Sequence, residues 1–163
     1  MLLLFKTNGT LFYPYNSSPN PAFMSFILHP TLKKDCIEIA RLELCLILLM
    51  NDSQFPWLIL VPQRNDISEI YQLSTAEQQQ LTQESSFVTE KLAKLYCADK
   101  MNIAALGNMV PQLHIHHVAR FKTDKAWPAP IWGMFDAIAY SDRELDTSIN
   151  KLRKVLNDSS DNR

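Results

Sequence analysis

The stretch Gln112–Arg120, which reads Gln-Leu-His-Ile-His-His-Val-Ala-Arg, decides the fold. It holds three of the four histidines of the chain. Polar and apolar residues alternate over its first five positions, which predicts a β-strand, because successive side chains of a strand point to opposite faces. We therefore expect Gln112, His114 and His116 on one face, and His117 on the other face with its apolar neighbours.

A strand face with two imidazoles and an amide permits three kinds of site. A neutral imidazole is a nitrogen nucleophile near pH 7 and can attack phosphorus, while a second imidazole and an amide hold phosphate oxygens. In the second interpretation, His114 and His116 are ligands of a metal, although a zinc site needs at least three protein ligands and Gln112 is a poor one. The third interpretation is a pH-sensitive or purely structural cluster. The residue types favour the nucleophile and leave the other two interpretations open.

Size and composition bound the class of protein. The 163 residues suit one domain with a hydrophobic core, and 47% apolar with 20% charged residues are typical of a soluble globular protein. The formal net charge of -1 provides no basic excess for nucleic acid or for a membrane surface. With three glycines in the chain, no glycine-rich phosphate loop is available. Neither nucleic acid nor a membrane is expected as a partner.

The cysteines and the N-terminal residues predict a cytoplasmic protein. Cys36, Cys45 and Cys97 are odd in number and fit no metal-binding spacing, so a reducing compartment is the simplest inference. The first apolar run ends at Lys6 and no small-residue cleavage site follows, which argues against a signal peptide. The longest apolar run, 44–50, is too short to span a membrane.

The pattern around the histidine strand predicts one domain of strands and helices over residues 24–140. Ser74 and Glu77 form a capping box that opens a helix over Thr75–Tyr96, and its apolar stripe should cover one face of the sheet. Ser141 is the expected N-cap of a final helix in residues 141–163. Apolar runs predict four further strands, at 36–44, 45–50, 56–62 and 101–106.

The first part of the chain is predicted to differ from this domain. Residues 1–23 contain a cluster of turn formers at 16–21. We favour a disordered extension, or a start codon placed upstream of Met24, over an ordered arm that packs on a neighbour. A short helix is expected after His29, with Thr31 as a local capping group and His29 itself in a structural or surface role.

The segment 107–118 resembles the signature of the histidine triad (HIT) superfamily, in which a Gly-Gln-Ser/Thr turn precedes His-φ-His-φ-His-φ-φ. Residues 48–52 and 56–62 resemble the strand pair of that family that contacts the ribose. The helix that opens at Ser74 falls where the family has its long helix, and the resemblance covers residues 35–132. The motif Gln-x-His-x-His-His-x-Ala-Arg, followed by a Trp-Pro pair, resembles a bacterial branch of dinucleoside polyphosphate hydrolases.

This resemblance implies an antiparallel α+β fold, usually a homodimer, that acts on nucleoside phosphates and needs no metal or other cofactor. His114 matches the nucleophile that attacks the α-phosphorus and forms a nucleotidyl-histidine intermediate. His116 matches the histidine that holds phosphate oxygens. The remaining matches are Gly107 and Asn108 at the turn that contacts phosphate, and Asn51 or Asp52 at the ribose hydroxyl.

Three departures from the family pattern bear on turnover. Gln112 replaces the first histidine of the triad and cannot give up a proton as an acid. Met109 stands where a hydroxyl residue is usual, and His117 takes a slot that is usually apolar, where packing or a dimer contact is its expected role. The resemblance as a whole still predicts a nucleotide hydrolase or transferase that cleaves a phosphoanhydride or phosphoramidate at an α-phosphate. The alternatives are a nucleotide-binding protein without turnover and, less favoured, an H-x-H metal protein.

Overall fold

The computed structural model describes residues 5–7, 10–12 and 26–157. A short antiparallel pair, β1 (Phe5–Thr7) with β2 (Thr10–Phe12), falls within the predicted extension, and the rest of residues 1–23 lies outside the described part. The main layer is a five-stranded antiparallel sheet in the order β3-β4-β5-β7-β6. Its strands are β3 (Cys36–Arg41), β4 (Cys45–Met50), β5 (Trp57–Pro62), β6 (Lys100–Ala104) and β7 (Ile115–Arg120). The predicted α+β class and antiparallel sheet are confirmed.

One face of the sheet is covered by two helices, α2 (Thr75–Tyr96) and α3 (Asp142–Asn157). The helix α2 begins and ends where its capping box and apolar stripe predicted, with Ser74 as the N-cap. The apolar stripe of each helix packs on the strand residues that share this face, which are odd-numbered in β4 and β7 and even-numbered in β5. The main hydrophobic core includes Ile47, Leu49, Leu58, Leu60, Ile115, Leu81, Val88, Leu92, Leu152 and Leu156.

A buried carboxylate interrupts the apolar stripe of α2. Glu84 accepts hydrogen bonds from the backbone N–H groups of Leu44 (2.7 Å) and Cys45 (2.9 Å), and from the Gln80 amide (2.9 Å). These two N–H groups lie at the turn between β3 and β4, so the carboxylate fixes that hairpin to the helix. Burial raises the pKa of Glu84, although its hydrogen bonds oppose the shift.

The opposite face of the sheet is covered by two segments of different kinds. On one side lies the segment 26–35, which ends in the short helix α1 (Pro30–Asp35). Its side chains at 26, 28 and 32 pack on a cluster with Leu48 and Ile59. On the other side lies the irregular loop 121–135, which packs on a second cluster through Ala126, Ile131 and Trp132. His114 and His116 lie between these two segments.

Two local predictions differ from the structure. The N-cap of α1 is His29, whose Nδ1 accepts the Thr31 N–H at 3.2 Å, so Thr31 is not the cap. The histidine strand begins at Ile115 and not at Gln112, because pairing with β5 ends there and the Leu113 N–H donates to the carbonyl of Ile67 at 2.8 Å. The residues 112–114 are therefore held by side chains and a connector, and not by the sheet.

Among the described residues, no helix has the length and the apolar composition needed to cross a membrane. The cytoplasmic location expected from the cysteines stays a prediction.

Candidate active site

His114 and His116 form the centre of the candidate site. Both are buried, with 7% of their surface exposed, and their ring centroids lie 4.8 Å apart at an interplanar angle of 82°. Ile59 lies directly opposite His116 in the strand pairing. The side chain of His116 therefore lies on the same face as that of Ile59, which the segments 26–35 and 121–135 cover. The predicted pair of imidazoles on one face is therefore present.

The protonation of His114 follows from one hydrogen bond. Its Nδ1 lies 2.7 Å from the backbone carbonyl oxygen of Gln112. A carbonyl oxygen only accepts hydrogen bonds, so Nδ1 carries the proton of the neutral ring and Nε2 keeps its lone pair. No group in the described part of the chain bonds to that Nε2. His114 therefore presents an unprotonated, unpaired nitrogen.

The neighbouring His116 is held in the opposite tautomer. The indole N–H of Trp57 donates to His116 Nδ1 at 3.0 Å, and an indole nitrogen only donates, so the proton of His116 is on Nε2. Burial, followed by the charges of His114 and His117, lowers the pKa of His116 from 6.5 to about 3. A neutral His116 thus offers an N–H donor beside the bare nitrogen of His114. The pair combines a nucleophile with a donor for an oxyanion.

His117 lies on the helix-covered face, as strand parity predicted. Its Nδ1 donates to the Ile115 carbonyl oxygen at 3.1 Å, and its Nε2 accepts from the Ser85 hydroxyl of α2 at 2.8 Å. It is fully buried, and burial lowers its pKa to about 4. Of its two expected roles, packing fits this position, whereas a dimer contact does not, because no surface of His117 is exposed.

Gln112 uses its side chain to hold the covering segment 26–35. Its Oε1 accepts from the His29 backbone N–H at 2.9 Å, and its Nε2 donates to the Ile27 carbonyl oxygen at 3.0 Å. The side-chain amide thus makes hydrogen bonds to the backbone of that segment, as a neighbouring strand would. A chemical role was expected for Gln112, and its contacts instead are those of a positioning residue, whose own carbonyl also orients His114.

Two tryptophans that the sequence interpretation did not assign to the site lie against His116. The Trp57 ring is 5.3 Å from the His116 ring between centroids, and the Trp132 ring is 6.0 Å away. The two indoles contact each other edge to face at 6.4 Å. A signal for Trp57 was present in the sequence, because Trp57 and Ile59 alternate on one strand, but no local pattern predicts that the loop brings Trp132 to this position.

The cation nearest along the histidine strand is committed to structural contacts. Arg120 is buried and forms a bidentate ion pair with Asp124, with nitrogen–oxygen distances of 2.8 and 3.0 Å. Its third nitrogen donates to the Asn102 amide oxygen at 2.7 Å. These bonds anchor the start of the covering loop. Because the charge of Arg120 is already paired with Asp124, it is not offered to a ligand.

The predicted turn residues lie in the exposed loop between β6 and the histidines. Gly107 has a φ of +69°, a left-handed backbone that favours glycine. Asn108 is exposed, and Met109 is 93% exposed. The loop is close in sequence to His114, but no hydrogen bond joins Asn108 to the histidines within the described chain. The phosphate contact expected from Gly107 and Asn108 stays a prediction.

Asn51 and Asp52, the two candidates for the ribose contact, are engaged with the segment before α3. Asn51 Oδ1 accepts the Tyr140 N–H at 3.1 Å, and Asp52 Oδ1 accepts the Ile138 N–H at 3.3 Å. Both lie just after β4, whose Leu48 is two strands away from His116 in register. The structure does not join either side chain to the histidine pair, and the ribose role stays a prediction.

A metal centre finds no support in the arrangement. Among residues 26–157, no group of three or more His, Cys, Asp or Glu side chains is placed to hold a metal ion. Burial raises the pKa of the Cys36 thiol and of the Cys45 thiol.

Comparison with known proteins places the chain in one family. A family model described as HIT domain matches residues 32–123. The fold is similar to solved histidine triad proteins from Marinobacter aquaeolei VT8 (46% identity, 80% of this chain and 96% of that chain covered, TM-score 0.79) and Bradyrhizobium japonicum (44%, 80% and 98%, 0.78). A third, from Sinorhizobium meliloti 1021, is 43% identical over 81% of this chain and 98% of that chain, with a TM-score of 0.79. No curated protein matches the chain. The chain belongs to the histidine triad (HIT) family.

Proposed function

We propose that the protein is a nucleotide hydrolase or transferase that cleaves a bond at an α-phosphate through a nucleotidyl-histidine intermediate on His114. The observation that carries the proposal is the pair of opposite tautomers. His114 Nε2 has a free lone pair, and the adjacent His116 Nε2 carries a proton. A nucleophile beside an oxyanion donor is the arrangement that transfer at phosphorus requires.

In the first step, the lone pair of His114 Nε2 forms a bond to the α-phosphorus. The bond from phosphorus to the leaving atom breaks, its electron pair departs with that atom, and the atom takes a proton from water. His114 becomes a cationic ring that keeps its Nδ1 proton, and the Gln112 carbonyl oxygen at 2.7 Å stabilises this charge. His116 donates from Nε2 to an oxygen of the phosphoryl group.

In the second step, a water molecule attacks the same phosphorus. The phosphorus–nitrogen bond breaks, its electron pair returns to His114 Nε2, and the proton of the water passes to solvent. A nucleoside monophosphate is released. In this scheme Gln112 supplies no proton, which agrees with the two backbone hydrogen bonds that occupy its side-chain amide.

We further propose that the nucleoside binds between the segment 26–35 and the end of β4. The partly buried members of the apolar cluster at that place include Phe26, Leu28 and Met50, whose exposed parts can contact the flat face of a base. The Gly107–Asn108 turn and the Asn51–Asp52 pair are the candidate phosphate and ribose contacts.

A second candidate is a nucleotide-binding protein without turnover. Two observations favour it: the occupied side chain of Gln112 leaves no acid at the first triad position, and the thioether of the exposed Met109 cannot donate a proton to a leaving group.

The activity test compares the wild type with His114→Ala and His117→Gln on an adenosine 5′-phosphoramidate and on diadenosine tetraphosphate. We expect His114→Ala to abolish hydrolysis while it still binds adenosine monophosphate, because binding uses the apolar cluster. His117→Gln should retain turnover. Hydrolysis of both compounds by His114→Ala at the wild-type rate would overturn the proposal. Binding without turnover by the wild type would select the second candidate.

We also propose a homodimer through the outer strand β6, which has no strand partner on its outer side among the described strands. Unpaired strand edges associate readily, and the exposed Ile103 and Leu106 add apolar area there. Light scattering of the purified protein should give the mass of two chains.

A further inference from the structure

A groove outside the proposed nucleoside site shares one wall with the histidine pair. It has a volume of about 410 Å³ and lies between the edge strand β6 and the covering loop. Its lining residues are Met101, Asn102, Ile103, Pro128, Pro130 and Trp132. Trp132 belongs both to this lining and to the aromatic contacts of His116, where the ring centroids are 6.0 Å apart. One indole ring therefore connects the groove with the candidate site.

Strand register gives the same placement independently of the loop. Asn102 lies opposite Val118, and Ala104 lies opposite His116, in the pairing of β6 with β7. The groove thus runs along the strand next to the histidine strand, on the side away from β5 and from the segment 26–35. A substrate whose nucleoside binds against that segment can therefore place its other substituent at the groove.

The lining of the groove offers no cation to a chain of further phosphates. All six lining residues are uncharged. Arg120, the nearest cation along β7, is held by Asp124 and Asn102. Each additional phosphate would need a cationic partner or water here, whereas a flat or branched uncharged group would gain contact with two prolines and an indole.

The indole of Trp132 has a second feature that suits a ligand. Its Nε1–H is buried and has no acceptor within the described chain. A buried donor without an acceptor is destabilising, because it has lost its hydrogen bond to water. An acceptor atom brought in by a substrate would remove that cost once the Trp132 ring shifts to expose its N–H.

We propose that this groove, between β6 and the Pro128–Trp132 segment, is the subsite for the leaving group, and that it selects an uncharged, apolar or planar group over a polyphosphate chain. Trp132 is its specificity-determining residue. The inference rests on the proposed cleavage at His114, because a leaving group exists only if that bond breaks.

The test uses three adenosine compounds that differ only beyond the α-phosphorus: the 5′-phosphoramidates of benzylamine and methylamine, and diadenosine tetraphosphate. The wild type should show a kcat/KM for the benzyl compound at least about tenfold above that of the methyl compound, since burial of a few carbon atoms gives that much discrimination. It should cleave the polyphosphate more slowly than the benzyl compound.

Groove variants should lower the ratio of benzyl to methyl kcat/KM, which a general loss of folding would not do. Trp132→Ala and Pro130→Asp should bring the ratio close to one, and Trp132→Phe should fall between them and the wild type. Ile70→Asp is the matched control, because Ile70 is 41% exposed in the turn Ile70–Gln72 and does not line the groove. Its ratio should equal that of the wild type.

The possible failures are distinguishable. If the wild type cleaves none of the three compounds, the proposed function fails. If it cleaves both amidates through His114 but every variant keeps the wild-type ratio, only the groove inference is overturned. If Pro130→Asp changes the mass of the assembly from two chains to one without changing the ratio, the groove belongs to the interface between copies, and the inference is likewise overturned.

Discussion

His116 and His117 are adjacent residues of one strand that have unlike environments. His116 faces the cleft, receives the Trp57 indole N–H at 3.0 Å and keeps its Nε2 proton unengaged within the described chain. His117 faces the helices, is fully buried and accepts the Ser85 hydroxyl at 2.8 Å. Strand parity alone separates them, because a shift by one residue exchanges the two faces. The comparison teaches that an imidazole becomes chemical or structural according to which of its nitrogens the fold leaves unpaired.

His114 extends the comparison. It and His117 make the same local bond, from Nδ1 to the carbonyl oxygen two residues earlier, at 2.7 and 3.1 Å. Both rings therefore have a lone pair on Nε2. In His117 that lone pair is satisfied by Ser85, whereas in His114 it faces the cleft. The same tautomer is a core contact in one case and a nucleophile in the other.

The largest expected effect separates the two adjacent histidines by function. His116→Ala should lower kcat/KM by roughly a hundredfold or more, because it removes one oxyanion donor. His117→Ala should leave kcat/KM within a few-fold of the wild type. Steady-state kinetics on an adenosine phosphoramidate measures both, and equal losses in the two variants would break the comparison.

For stability, we expect the larger loss from the variant of His117 and the smaller loss from the variant of His116. His117→Ala should lower the free energy of unfolding by about 2–3 kcal/mol, since it opens a cavity and leaves the Ser85 hydroxyl without its acceptor. His116→Ala should cost less, because the cleft admits water to the Trp57 indole. Urea unfolding followed by tryptophan fluorescence gives both values. A larger loss for His116→Ala would contradict the assignment of His117 to the core.

The buried histidines also predict how stability depends on pH. Burial lowers the pKa of His117 from 6.5 to about 4, so between these values the unfolded chain binds a proton that the folded chain does not. Stability should therefore fall as the pH is lowered from 6.5 to 4, by up to about 3 kcal/mol from His117 alone. Urea unfolding at several pH values should show a weaker dependence in His117→Gln, and an unchanged one would contradict the account.

The variant Trp57→Phe tests whether the Trp57 indole sets the tautomer of His116. Without the indole N–H, His116 Nδ1 can carry a proton, so the ring no longer presents its Nε2–H exclusively. We expect kcat/KM to fall about tenfold, within the range for a positioning hydrogen bond. Nitrogen chemical shifts of His116 should move toward a mixture of tautomers. Wild-type shifts in the variant would contradict the role given to Trp57.

The smallest effect is expected at Gln112. Gln112→Ala removes both ties to the segment 26–35, so KM should rise by several-fold with a smaller change in kcat. Hydrogen exchange at His29 should become faster, because its N–H loses the amide acceptor at 2.9 Å. Gln112→Glu keeps that acceptor and loses the donor to Ile27, so it should lie between the two. A fall in kcat with unchanged KM and exchange would instead assign Gln112 a chemical role.

Local patterns predicted a large part of this molecule. The parity of residues 112–117 assigned His116 and His117 to their faces, although the strand itself begins only at Ile115. The capping box of Ser74 and Glu77 predicted where α2 begins. These features depend on residues at most four positions apart, so the local sequence is enough to predict them.

The remaining features depend on distant contacts. The Gln112 side chain bonds residues 83 and 85 positions away, and Glu84 bonds Leu44 and Cys45 at separations of 40 and 39. Glu84 looks like a solvent-facing residue of a helix until the hairpin supplies N–H donors. Trp132 reaches His116 only because the Arg120–Asp124 pair anchors the loop. No local pattern of residue spacing predicts these long-range contacts.

The most direct test of the central claim is the position of the covalent adduct. The wild type, mixed briefly with an adenosine phosphoramidate and denatured, should gain the mass of one adenylyl group. Digestion should locate that group in the peptide containing His114, and phosphorus NMR should show a phosphorus–nitrogen bond at Nε2. The adduct should be absent from His114→Ala and present in His117→Gln. Turnover without any adduct, or an adduct on another residue, would contradict the account.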